Sequence, residues 1–434
     1  MKNVVFIVTD AMRRDRVGAY NNEVDFTGSI DKFAEEATIF EDAVSNSSWT
    51  LPSHASFFTG IYPWEHYATQ RNLELKVEKD TLAERFSEEG YKTYCYSING
   101  FLRPHSGLLK GFDRWGSFKI SDRFSTLVKL KAKAEKWLAS DDSWLKKKLM
   151  SIGDYFYHYK QGEMRETEKI MEEARRTVTG SDNFFLFMNL MDPHVPYFPP
   201  EEYRKKHSGP EPSQICQDNS EYYSGKKEAD FNEISRIYNA SIDYMDDQIG
   251  EFFDFLKKQD IWDDTVIVLV SDHGQLLGEE GHYGHQYSVH EKLVQVPLIV
   301  KGAGRDVLEE QVELRELYDL IQGWAGLAEK ETPGTEIAKG GYEFPDMMRQ
   351  RIPEDRIEEL YRRHTFARKS DHKVVRSETE KGEVERREIK LEEGDKDFSD
   401  LRDEVPEFET QGNGEKLHDK DEEVKKKLRD LGYG

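Results

Sequence analysis

An α/β fold on a mostly parallel sheet, with helices on both faces, is what this sequence predicts, and three observations carry the prediction. Nearly unbroken apolar runs of strand length recur, "NVVFIVT" at the start, then Phe184–Leu190 and Thr265–Val270. Runs without polar alternation suit strands buried on both faces. Amphipathic helical stretches separate them, and polar residues collect where each run stops. Ligands of such sheets bind beyond the carboxyl ends of the strands. That singles out Asp10, the Asn189–His194 loop and Asp272–His273.

Taken in order, the first strand ends at Asp10. "TLAERFSEEGYKTYCYSIN" then reads as a helix with one apolar face, a glycine stop at Gly90 and a strand through Tyr94–Ser97. "DNFFLFMNLMDPHVPYFPP" is a strand running into a Pro-rich loop. "SIDYMDDQIGEFFDFLKKQDIWDDTVIVLVSDHG" gives a long amphipathic helix, a turn and a strand finishing at Asp272. Residues 121–179 break the alternation and read as a helical insertion, either a lid beside a site or a surface elaboration. Residues 1–335 form the larger unit and 336–434 a smaller one. In the latter, "HTFARKSDHKVVR" and "VERREIKLE" are expected to pair antiparallel, followed by an acidic segment. A terminal helix carries Val424, Leu428 and Leu431 at helical spacing.

The 85 acidic and 62 basic residues give a formal charge of -23. Such a surface repels nucleic acid and anionic membranes, so neither is expected as a partner, although a local basic pocket for an anionic small molecule is compatible with it. No apolar stretch reaches membrane-spanning length, and no membrane insertion is expected. The first apolar run is too short for a signal segment, and the two cysteines, Cys95 and Cys216, form no metal or redox pattern. A reduced, cytoplasmic setting is expected, with the oligomeric state left open.

"SDHGQLLGEEGHYGH" delivers Asp272 and His273 side by side, with His282 and His285 close behind. A carboxylate beside an imidazole is a hard-to-borderline metal pair, suited to Mn, Zn or Mg; it also serves as an ordinary cap or turn. Asp10 strengthens the metal reading, because adjacent parallel strands would converge these acids. In "SWTLPSHASFFTG", Thr50 stands two residues before Pro52 at a helix start, where proline's missing N–H costs nothing. Thr50 is then either a nucleophile activated by a metal or, like Ser48, a plain N-cap.

The order of Asp10, "TLPSHASFFTG", "DPHVPYFPP", "SIDYMDDQIG", "SDHGQLLGEEGHYGH" and "VPLIVKG" resembles the sulfatase branch of the alkaline phosphatase superfamily through residues 1–335. The closing region resembles the small C-terminal part of the same proteins. The resemblance implies an alkaline phosphatase/sulfatase-like α/β fold and attack on a sulfate or phosphate ester. It implies one divalent metal, Mn or Zn before Mg or Ca, held by Asp10, Thr50, Asp272 and His273, with a second metal less expected. Family sulfatases make formylglycine from Cys or Ser in C/S-x-P-x-R. Here Thr50, Pro52 and His54 occupy that motif, Ala11 follows Asp10 where a paired acid is familiar, and the family's Gly-Lys-Trp-His segment is replaced by "YSINGFLRPHSG". The threonine matches phosphate-handling relatives. The resemblance therefore implies a metal-dependent hydrolase or transferase of phosphoric mono- or diesters, with Thr50, His194 and His285 catalytic. His54, Asn99, His105 and His282 are the expected substrate contacts. The substrate is an anionic small-molecule, glycan or lipid ester. A sulfuric ester hydrolase with unmodified threonine, and a noncatalytic metal-binding scaffold, are the alternatives.

Overall fold

The computed structural model describes residues 1–116, 166–180, 183–329 and 332–408. Its main sheet has eight strands: β1 (Asn3–Thr9), β2 (Thr38–Val44), β3 (Lys92–Ser97), β4 (Arg114–Gly116), β5 (Phe184–Leu190), β6 (Thr265–Val270), β7 (Gln295–Lys301) and β8 (Val307–Glu313). Their spatial order is β8-β2-β7-β6-β1-β5-β3-β4. Every neighbour pair is parallel except those made by β7, which runs antiparallel to β2 and β6.

The apolar runs behave as both-face strands. In β1, Val4, Phe6 and Val8 enter one core with helices α2 (Thr50–Thr59), α3 (Leu82–Glu88) and α6 (Leu317–Ala325). Val5 and Ile7 enter the other, beneath α1 (Gly28–Ala34), α4 (Glu166–Thr179) and α5 (Phe231–Lys258). Each fully buried Val or Phe contributes about 1.5–3 kcal/mol by leaving water, which fixes the strand register strongly. β1 lies between β5 and β6, with Val8 level with Asn189 and Val270. The residues after all three strands therefore emerge at one height. Helix α3 begins with a capping box: Thr81 Oγ1 accepts from Glu84 N at 3.2 Å and Glu84 Oε2 accepts from Thr81 N at 2.8 Å.

A second, antiparallel sheet joins β9 (Ala338–Tyr342), β10 (Arg362–Lys369), β11 (His372–Thr379) and β12 (Val384–Lys390) in that order. The segment "HTFARKSDHKVVR", read from sequence as one strand, is a hairpin: Lys369 pairs with His372, and Ser370–Asp371 make the turn. Two turn-forming residues inside an apolar pattern were the signal for it. The small sheet is locked to the large one by buried charge. Arg368 donates to Asp42 (2.8 Å) and Glu291 (2.9 Å), and Lys373 reaches Glu291 at 2.8 Å.

Of the expected helical insertion, α4 is described; residues 117–165, and the terminal helix expected around Val424–Leu431, lie outside the described residues. Among the described residues no helix is long and apolar enough to cross a membrane.

Candidate active site

Asp10 leaves β1 and turns at once, because Ala11 adopts a left-handed conformation (φ 61°), a strain of roughly 1 kcal/mol for a residue with a Cβ. The turn is held from both sides. The Ala11 N–H donates to Asp272 Oδ1 (3.3 Å), and Tyr238 of α5 donates its hydroxyl to the Ala11 carbonyl (2.8 Å). Asp272 and His273 leave β6, anchored by hydrogen bonds from Ser45 Oγ (2.6 Å) and Ser53 Oγ (2.8 Å) to the Asp272 carbonyl. Gly274 follows, and a Cβ there would stand 1.9 Å from the Lys292 carbonyl oxygen. Only glycine lets the chain pass so close.

One ligand atom from each of Asp10, Asp272 and His273 lies within 4.8 Å of the other two, and all three residues are buried. His273 Nε2 is 3.7 Å from Asp10 Oδ1 and 3.6 Å from Asp272 Oδ2. Those two carboxylate oxygens are buried without a hydrogen-bond partner among the described residues, whereas each residue's other oxygen is satisfied. Asp10 Oδ2 accepts from Asn99 Nδ2 (2.8 Å) and Asn189 Nδ2 (3.3 Å), and Asp272 Oδ1 accepts from His273 N (2.9 Å) as well as Ala11 N. His273 Nδ1–H donates to the Gly274 carbonyl (2.9 Å), which leaves Nε2 its lone pair. Two orphaned carboxylate oxygens facing an imidazole lone pair are the donor set a divalent cation requires. The electrostatics agree. Burial, then the Asp10 charge, raises the Asp272 pKa well above the carboxylate range. Burial also lowers that of His273 to about 4, so the imidazole is neutral and able to ligate.

Thr50 is the first residue of α2, fully enclosed, with its Oγ1 3.3 Å from His273 Nε2. It does not cap its helix. The N-cap is Trp49, which makes no side-chain cap bond, and Ser48 donates instead to the Ser288 carbonyl (2.7 Å). The hydroxyl is thus turned toward the acid–histidine group at the electropositive end of a ten-residue helix.

The other expected residues separate into three sets. His194 and His285 stand by the cluster: the His285 ring lies 4.5 Å from His273 and 4.9 Å from His194, centroid to centroid. His194 spends Nδ1 on the Val195 carbonyl (2.5 Å) and is half-buried. Both nitrogens of His285 are engaged, Nδ1 with Gln275 Oε1 (3.2 Å) and Nε2 with Gln286 Nε2 (2.8 Å). Burial and the neighbouring histidines keep it neutral, with its pKa well below the usual imidazole value.

Asn99 and His54 lie behind the cluster. Asn99 grips Asp10, and His54 is buried among Phe57, Phe58 and Phe187, with Nδ1 2.9 Å from the Thr50 carbonyl and 3.5 Å from Asp272 Oδ2. His54 occupies the floor of the site, not its mouth. His282 and His105 lie apart, His282 against Tyr223 (3.3 Å to its hydroxyl) and His105 on the exposed turn Pro104–Ser106. Sequence reading placed Asn189 at a strand end of the site without saying what it holds, and it singled out neither Ser271 nor the Ala11 backbone; all three aim the acids through polar contacts that no periodicity reveals. Ser271 Oγ is within 2.6 Å of both the Thr9 and His273 carbonyls.

Comparison with known proteins gives a consistent answer. The family model described as Sulfatase matches residues 2–330. Over 417 residues the chain is 26% identical to an arylsulfatase of Clostridium perfringens, covering 86% of this chain and 83% of that one. In solved structures it is similar to the phosphonate monoester hydrolase of Agrobacterium radiobacter, at a TM-score of 0.64 and 18% identity, over 90% of this chain and 89% of that one. The Silicibacter pomeroyi phosphonate monoester hydrolase gives a TM-score of 0.66 at 17% identity, with the same coverage. At these identities the structural matches establish the fold.

Proposed function

The chain belongs to the sulfatase family of ester hydrolases, and from that premise we propose that it cleaves phosphoric or phosphonic esters through a covalent intermediate on Thr50. The observation carrying this reading is the Thr50 hydroxyl itself, unused as a cap and 3.3 Å from His273 Nε2. Family sulfatases need a convertible Cys or Ser at this position, and threonine with His54 three residues beyond Leu51 does not meet that need. Two structural neighbours are, by name, phosphonate monoester hydrolases.

A divalent ion, Mn or Zn by the donor set, would be held by Asp10, Asp272 and His273 with Thr50 beside them, and would supply Lewis-acid charge to the ester and the hydroxyl. The remaining work falls to the chain. The N-terminus of α2 presents N–H groups to the equatorial oxygens. Asn99 and Asn189 hold Asp10 in one orientation, and enclosure of Thr50 keeps water from competing before attack. Thr50 Oγ1 gives its proton to solvent and attacks in line; the P–Oγ1 bond forms, the bond to the leaving oxygen breaks, and the electron pair of that bond stays on the leaving oxygen. His194 is the group to protonate that oxygen: Nδ1–H is committed to the Val195 carbonyl, so the free Nε2 first takes up a proton from solvent and then passes it to the leaving oxygen. His285, engaged at both nitrogens, positions the His194 and His273 rings. Water, or an acceptor alcohol, then releases the phosphoryl group from Thr50.

Sulfate esters are the second reading, favoured by the arylsulfatase relative. Against it, a sulfuryl-threonine has no second hydroxyl from which sulfate could be eliminated. Turnover of p-nitrophenyl sulfate, phosphate, a phosphodiester and a phosphonate ester with added Mn separates the two. Phosphorus esters preferred, with loss in Thr50→Ala, is the expected result. Preferential sulfate hydrolysis lost in Thr50→Ala overturns the phosphoric reading. No turnover on any ester, with Thr50→Ala equal to wild type, leaves the metal-binding scaffold.

A further inference from the structure

We propose that His54 is a positioning residue: its Nδ1–H, set between the Thr50 carbonyl and the Asp272 carboxylate, holds the helix that carries the nucleophile against the metal-binding acid. The inference rests on the Thr50-centred reading for the reaction, but not for the metal site.

For stability alone this position calls for an apolar ring. His54 is fully buried, and its ring packs on Phe57 (4.7 Å between centroids), Phe187 (5.8 Å) and Phe58 (6.2 Å). Nδ1 stands 2.9 Å from the Thr50 carbonyl. A carbonyl only accepts, so Nδ1 carries the proton and Nε2 keeps its lone pair. Among the described residues Nε2 has no hydrogen-bond partner, and it is buried. An unsatisfied buried acceptor costs stability, and a phenyl ring in the same place would avoid that cost. Such a group in a folded protein calls for an explanation. Here the explanation lies at the other nitrogen.

The Nδ1 side faces the reaction centre. Nδ1 is 3.5 Å from Asp272 Oδ2, the oxygen left without a hydrogen-bond partner at the acid–histidine cluster. A carboxylate oxygen has two lone pairs, so Oδ2 can give one to a cation and turn the other toward His54. The preceding residue of the same helix works on the same acid, because Ser53 Oγ donates to the Asp272 carbonyl at 2.8 Å. Consecutive side chains of α2 thus meet Asp272 at two points, Ser53 at its backbone and His54 at its carboxylate. Thr50 lies one turn earlier on that helix, and its Oγ1 is 3.3 Å from His273 Nε2, on the residue that follows Asp272. A single contact would let α2 pivot about it; the second fixes where the Thr50 hydroxyl stands relative to the cluster. An outer contact of this kind orients a metal ligand without touching the metal.

Two substitutions in the full chain separate the donor from the ring. His54→Phe keeps the ring and removes the N–H, whereas His54→Asn keeps an N–H near the Nδ1 place and gives up the ring. In EDTA, His54→Phe is expected to have the higher Tm of the two, since it fills the apolar pocket and buries no unpaired nitrogen. Calorimetric Mn binding should run in the opposite order, about 10- to 100-fold weaker than wild type in His54→Phe and recovered in large part in His54→Asn. At saturating Mn, kcat on a p-nitrophenyl ester should follow the order of Mn affinity with KM little changed, because His54 meets no substrate. A ring present only for packing would give one order in every readout. The same order in Tm and in Mn affinity, or Mn binding by His54→Phe as tight as by wild type, overturns the proposal. Tm and Mn affinity require no turnover, so they report on His54 even where Thr50→Ala shows that Thr50 is not the nucleophile.

Discussion

Replacing Asp272 by asparagine should invert the order of stability between metal-free and metal-loaded protein. Asp272 Oδ1 accepts from His273 N and Ala11 N, and an asparagine carbonyl keeps both bonds. The amide then replaces the orphaned Oδ2, within 4.8 Å of Asp10. Two full charges at that separation and an effective dielectric near 20 repel by about 3 kcal/mol, an upper bound because proton uptake by Asp272 relieves part of it. Without metal, Asp272→Asn should therefore match or exceed wild type. With Mn at 100 times its Kd, wild type gains about 2.7 kcal/mol, and the variant, short of one ligand, gains little. Thermal unfolding in EDTA and across a Mn titration reads both orders. A variant clearly less stable than wild type in EDTA, with the same upward shift in Mn, would refute the reasoning.

Asn99→Ala removes the 2.8 Å bond that orients Asp10 and should weaken Mn binding about 10- to 100-fold, measured by calorimetry, with little change in metal-free Tm. His194→Asn should slow esters with poor leaving groups about 10²-fold or more while sparing p-nitrophenyl esters, whose leaving group needs no proton; an equal loss on both would remove His194 from that role. Glu291 should make the join between the two sheets acid-labile. Desolvation pushes its pKa up, but Lys373 and Arg368 overcome this and hold it at about 2. A carboxylate depressed in the folded state stabilises it above the unfolded pKa, by about 3 kcal/mol here. That stability is lost as pH falls from about 4.5 toward 2, and Glu291→Gln should flatten the unfolding profile across that interval.

The apolar runs made the sheet legible, since both-face burial leaves an unbroken pattern in β1, β5 and β6, and the ends of those strands located Asp10 and Asp272. The antiparallel β7 was not legible, because strand direction depends on which neighbours a strand meets. Nor was the hairpin within "HTFARKSDHKVVR", where apolar spacing obscured the Ser370–Asp371 turn. The cluster of Asp10, Asp272, His273 and Thr50 could be read from motif order. What holds it in place could not. Asn189, Ser271 and the strained Ala11 turn act through single hydrogen bonds between residues up to 262 positions apart. The histidines show the same limit. Sequence placed His54, His282 and His285 alike near substrate, and only packing separates a histidine under phenylalanines from one held at both nitrogens.

The most direct test of the central claim is to trap the intermediate. Wild-type protein loaded with Mn is quenched in acid during turnover of a p-nitrophenyl phosphate or phosphonate ester, digested and mapped by mass spectrometry. The expected result is one phosphoryl or phosphonyl adduct on the peptide carrying Thr50, present with Thr50→Ser and gone with Thr50→Ala. Turnover that persists in Thr50→Ala, or an adduct on any other residue, would contradict the assignment of Thr50 as the nucleophile.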